Sequence, residues 1–179
     1  MISFSFIAST SGGRAGLMKK ERPAVIADLL EKPGHLIRRA HQFSVAVFEG
    51  LAARDRITAP QHVVMTALFK HPGIDQVTLA KLVALDKVTT GTIVSRLERR
   101  GLLRREQSSQ DRRARVLLLS ETGRELLLRM QDTVRQSQTN LLANLTQSEG
   151  KDLVRLLRKL IGAEPAAGAR KAKRRQPRK

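Results

Sequence analysis

The 179-residue sequence predicts a mainly α-helical fold carrying one small β-hairpin, and three observations predict it. Apolar residues recur at helical spacing over two long stretches, about 34–54 and 120–161. Between them, two short helical patterns, 76–84 and 87–100, stand almost back to back. Directly after the second, residues 102–107 and 114–119 read as two strands around a polar, basic turn.

Taken in order, residues 1–32 show no sustained period, and the run from Ser9 to Gly13 has the composition of a flexible linker. Met18, followed by Lys-Lys-Glu, is a second candidate start of translation beside Met1. From Pro33 the pattern changes: Leu36, Ala40, Phe43, Val47 and Leu51 make one stripe of a long amphipathic helix ending near Arg54. Thr58 and Gln61 then form a capping box, in which the hydroxyl accepts a backbone amide and the glutamine reaches back to the cap. Val64, Leu68 and Phe69 are the expected buried stripe of that helix, and His71-Pro72-Gly73 stops it. The helix Gln76 to Ala84 is expected to bury Leu79, Leu82 and Val83. Only Leu85 and Asp86 separate it from the helix Lys87 to Arg100, capped by Asp86 and closed by Gly101.

A tight helix pair followed by a hairpin, with Ser108 to Arg113 as the turn, is the pattern of a winged helix-turn-helix over about 58–119. Ser120 caps the next helix, with Leu127, Met130, Val134, Leu141 and Leu145 on one face. A second capping box, Thr146 with Glu149, starts a last helix expected to bury Leu153, Leu156, Leu157 and Leu160. The structured domain is thus expected at 33–162, followed by a basic disordered tail at 163–179.

Charge narrows the class of partner. Lysine and arginine number 34 against 16 acidic residues, a formal net charge of +18, which favours a polyanion. Seven of the ten residues from Arg170 to Lys179 are basic, yet about +11 remains elsewhere, much of it between Arg96 and Arg115. The absence of cysteine excludes disulfides, thiolate zinc sites and thiol redox sensing, and agrees with a reducing cytoplasm. No apolar run is long enough to span a bilayer and no signal peptide opens the chain, so a soluble cytoplasmic protein with no membrane partner is expected. With five phenylalanines and neither tyrosine nor tryptophan, stacking platforms for single strands are hard to build, and duplex DNA is the better partner. There is no glycine-rich phosphate loop, nucleophile elbow or carboxylate cluster, so neither an enzyme nor a cofactor is expected. His35, His41, His62 and His71 show no i, i+4 pairing, and no metal site is expected.

The helix from Lys87 has two faces. Thr90, Ile93, Val94 and Leu97 point inward, leaving Lys87, Thr89, Thr92, Ser95, Arg96 and Arg99 outward, a mixture of small hydroxyls and cations suited to the major groove. The hairpin turn carries Asp111, Arg112 and Arg113, with Arg115 beside them. A narrow minor groove concentrates negative potential and favours arginine at such a tip. Asp111 is repelled by DNA phosphates, so its expected role is to orient an arginine through a charge-assisted hydrogen bond.

These residues resemble the MarR family of bacterial regulators over roughly 34–161. The resemblance rests on Pro33-Gly34-His35-Leu36-Ile37-Arg38-Arg39, Leu79-Ala80, Asp86 to Leu97, Gly101-Leu102, the Asp111-Arg112-Arg113-Ala114-Arg115 wing and Leu119-Ser120. It implies a homodimer in which the first and last helices of both chains interlock, with dimerisation helices at about 34–54 and 120–161. It also implies Arg113 as the minor-groove arginine with Asp111 as its partner. Two recognition helices related by a twofold axis would read an inverted-repeat operator as a repressor. The opening Pro-Gly-His-Leu-Ile-Arg-Arg-Ala-His-Gln is similar to branches governing aromatic-compound catabolism. That similarity implies release by a small aromatic acid or its coenzyme A thioester, with Arg38, His41, Gln42, Phe48, His62 and Met65 as candidate effector residues. The competing expectation is a nonspecific architectural DNA-binding protein, supported by the tail and the total charge.

Overall fold

The computed structural model of the chain describes residues 28–107 and 115–163. The N-terminal segment up to residue 27, the tail from 164, and the turn holding Asp111, Arg112 and Arg113 lie outside the described residues. The chain divides into two compact units, Met1–Arg39 and Ala40–Lys179. In the first, Asp28 and Lys32 pair at 3.1 Å ahead of helix α1 (Pro33–Leu51), which begins in this unit.

In the second unit α1 runs on to Leu51, and a 3-10 turn (Ala53–Asp55) follows. Then come α2 (Ala59–Lys70), α3 (Gln76–Leu82), α4 (Lys87–Arg99), β1 (Leu103–Gln107), β2 (Arg115–Leu119), α5 (Glu121–Arg129), α6 (Gln131–Leu141) and α7 (Gln147–Leu160). The fold is therefore mostly helical with one antiparallel hairpin, as the periodicity predicts. In the hairpin Leu103 pairs with Leu119 and Gln107 with Arg115. Gly73 and Ile74 bond to Leu117 from its other edge, so the hairpin is stitched to the end of the α2–α3 connection.

Helix α2 is the hub, packing on α3, α4, α5 and β2. Val64, Met65 and Leu68 from α2 meet Leu79, Val94, Leu97, Leu117 and Met130, every one of them at most 2% exposed. Each such side chain contributes roughly 1.5–3 kcal/mol of burial. Both capping boxes form: the Thr58 amide donates to Gln61 Oε1 at 3.1 Å, and the Thr146 amide to Glu149 Oε2 at 2.8 Å.

Four expectations are corrected. Phe69 is not part of the buried stripe; it is 36% exposed, and the Arg124 guanidinium lies over its ring at 5.0 Å. Helix α3 ends at Leu82, not Ala84, and Leu82 is half exposed while Leu79 is buried. The expected helix after Ser120 is two segments meeting at the fully buried Met130. Leu153, Leu156, Leu157 and Leu160 of α7 are 38–66% exposed, because among the described residues no element covers that stripe.

Candidate nucleic-acid interface

Helix α4 is built to show one face and bury the other. Its N-terminus is held by Asp86, whose carboxylate accepts the Thr89 amide at 2.8 Å and the Thr89 hydroxyl at 2.6 Å. The Thr89 hydroxyl is the main reason the Asp86 carboxyl lies below its usual range, so this cap stays ionised. Thr90, fully buried, satisfies its own hydroxyl by donating to the Asp86 carbonyl at 2.8 Å. At the other end Gly101, at φ +68°, supplies the left-handed residue that ends the helix. Leu102 then donates back to the Leu97 carbonyl at 2.9 Å, which turns the chain directly into β1.

Thr90, Ile93, Val94 and Leu97 are buried, and Lys87, Thr89, Thr92, Ser95, Arg96 and Arg99 are all exposed. The two-faced helix is thus real. Two of those hydroxyls, however, are not equivalent. Thr89 has given its only proton to Asp86, whereas Ser95 accepts from Arg105 Nη2 at 3.4 Å and keeps its own proton free. Arg105 also lies 3.1 Å from Glu98 Oε2, off the axis of a good hydrogen bond, so strand β1 is tied to the outer face of α4.

Sequence reasoning missed two residues here. Val88, second in α4, is 79% exposed, the largest exposure among the big apolar side chains described. Arg100 donates to the carbonyls of Arg56 at 2.6 Å and Asp55 at 3.0 Å, anchoring the end of α4 to the 3-10 turn. Helical arithmetic could have found Val88. Nothing local in the sequence marks a bond spanning more than forty residues.

Of the candidate effector residues, Arg38 belongs to the first unit, while His41 and Gln42 are exposed on α1. Phe48 and His62 come together, ring centroids 5.2 Å apart and tilted by 48°. Burial lowers the His62 pKa, so its imidazole is neutral at physiological pH and offers a hydrogen bond, not a cation. Met65 is fully buried in the core behind α2. Beside His62, an open groove of about 310 Å³ runs along α2 to Leu82 and Val83, with Lys70 and His71 at one end. Thr66 lines it, its buried hydroxyl without a partner.

Residues 57–114 match the profile of the MarR family. The HTH-type transcriptional repressor NicR of Pseudomonas putida is 35% identical over 141 residues, which cover 79% of this chain and 89% of NicR. The chain belongs to the MarR family. Solved structures agree with its fold. BpsR of Bordetella bronchiseptica, whose DNA binding is regulated by 6-hydroxynicotinic acid, has a TM-score of 0.70 and 34% identity, covering 75% of this chain and 96% of BpsR. The transcriptional repressor CouR, solved on a 23-mer DNA duplex, has a TM-score of 0.71 and 26% identity, covering 76% and 96%. This MarR-family protein is accordingly a transcription regulator, and its relatives form a non-enzymatic class. Among its described residues no helix is long and apolar enough to cross a membrane.

Proposed function

We propose that this regulator is a homodimeric repressor that reads an inverted-repeat operator with α4 in the major groove and the hairpin tip in the minor groove. The observation that carries the reading is α4 itself: six polar or cationic side chains from Lys87 to Arg99 are exposed on one side while the opposite side closes the core. Lys87, Arg96 and Arg99 serve phosphates or guanine, and Thr92 and Ser95 serve base edges. At the tip Arg112 and Arg113 enter the minor groove, with Asp111 orienting Arg113. The uncovered leucine stripe of α7 supports the dimer, since a second copy would bury it.

The effector in this reading is a small aromatic acid or its coenzyme A thioester. Three things support it: the His62 ring, which packs on Phe48 and lines the groove, the apolar groove itself with its unpartnered Thr66 hydroxyl, and BpsR, whose DNA binding is regulated by 6-hydroxynicotinic acid. His41 and Gln42, exposed on α1, would supply hydrogen bonds for the carboxylate.

Footprinting of the full-length protein on its own upstream DNA, with aromatic acids and thioesters added in turn, tests the whole reading. A twofold-symmetric protected site released by one compound is expected; diffuse, salt-sensitive coverage without symmetry would return the protein to the nonspecific class. On the protected site Arg113→Ala should weaken binding by roughly 1–3 kcal/mol, measured by fluorescence anisotropy. An unchanged affinity would remove the wing from the interface.

A further inference from the structure

Val88 is the most exposed of the large apolar side chains among the described residues, and it stands where a base reader should stand. At about 100° per residue, Val88, Thr92, Ser95 and Arg99 lie within roughly 60° of arc, directly opposite Thr90, Val94 and Leu97. Burial confirms that geometry, because the first four are exposed and the last three closed. Val88 is therefore on the centre line of the outward ridge, at the N-terminal end that enters deepest in a helix-turn-helix complex. A valine 79% exposed at that position gains nothing from folding.

The surroundings of Val88 fix the chemistry it can recognise. Thr89 beside it has given its hydroxyl proton to Asp86, and Asp86 has committed both carboxylate oxygens to Thr89. Val88 itself offers only methyl groups, and Thr92 one turn on adds another. The one apolar group that a base pair shows in the major groove is the thymine 5-methyl. We propose that Val88 is a specificity residue that packs on the 5-methyl of a thymine in each operator half-site. The proposal rests on the major-groove reading of α4 above.

The test uses the full-length protein and its footprinted operator. Each thymine of the half-site is replaced, symmetrically and one position at a time, by deoxyuridine, which removes only the methyl, and affinity is measured for wild type, Val88→Ala and Val88→Thr. At one position deoxyuridine should weaken wild-type binding about four-fold per half-site, the affinity equivalent of losing one buried methyl. Val88→Ala should weaken the thymine operator similarly, and the two changes together should cost no more than either alone. The thermal midpoint and the salt slope should not move, because the side chain is exposed and touches no phosphate. Deoxyuridine without effect at every thymine, unchanged affinity for Val88→Ala, or additive losses would overturn the proposal while leaving the operator reading intact. A protein that protects no defined site overturns both.

Discussion

Gly123 occupies a place no larger residue tolerates: a Cβ built there would lie 2.0 Å from the Leu102 carbonyl oxygen. That closeness exists because Ser120, at the start of α5, ties the segment to the end of α4. Its hydroxyl donates to the Gly101 carbonyl at 2.6 Å and accepts the Gly123 amide at 3.0 Å. Gly123→Ala must push α5 off the hairpin base and should destabilise the protein by about 1–3 kcal/mol or more, seen as a lowered urea midpoint. Ala84 is the opposite case. It sits at φ +53° where α3 ends, with its amide bonded to the Lys81 carbonyl and the Leu85 amide to the Ala80 carbonyl, the bonding pattern that elsewhere favours glycine. Replacing it with glycine releases about 1–2 kcal/mol of left-handed strain against about 0.4–1 kcal/mol of added unfolded-state freedom. A higher thermal midpoint is expected for Ala84→Gly, and an unchanged or lower one would mean the position carries no strain.

At the scale of elements, helix starts were more legible than helix ends. Thr58, Asp86, Ser120 and Thr146 all cap as their residue types require, because a side-chain oxygen before a helix satisfies an amide that has no other partner. Ends were readable where glycine marked them, at Gly73 and Gly101, and missed at Leu82, where an alanine takes the glycine's place. The caps also set an acid response. Asp75 and Asp86 are held below the usual carboxylate range first by the hydroxyls of Thr78 and Thr89, and Glu149 first by the Thr146 amide. As pH falls, the unfolded chain takes up these protons before the folded one does. The caps therefore contribute fully above the unfolded pKa values, and that contribution is lost as pH drops through the lowered folded values. Urea midpoints should decline between about pH 5 and pH 3, modestly because these groups are exposed. Asp75→Asn, Asp86→Asn and Glu149→Gln combined should flatten the decline, and an equally steep slope in that variant would assign the acid response elsewhere.

For the whole molecule, the deciding feature is α7. Leu156 and Leu160 are 52% and 66% exposed, and replacing both with aspartate removes little from the core of one chain. The same change places charge in any interface that buries them, against roughly 1.5–3 kcal/mol of burial per leucine. Leu156→Asp with Leu160→Asp should therefore sediment as a folded monomer and bind the operator more than ten-fold more weakly. A stable dimer in that variant would place the interface on another face.

What the sequence determined by itself was local: the caps, the two-faced α4, the paired strands, the charge and the absence of thiol chemistry. Each follows from residues within one or two turns of one another, where spacing and side-chain chemistry suffice. What tertiary structure decided was which apolar side chains find partners. Apolar side chains at good helical spacing are buried in α2, as Val64 and Leu68 are, and among the described residues left exposed in α7, because spacing names a face and not what lies against it. For the same reason the Thr89 proton was already committed and Val88 was left bare. Helical periodicity places residues on a face, and only packing and hydrogen bonding decide what that face has left to offer.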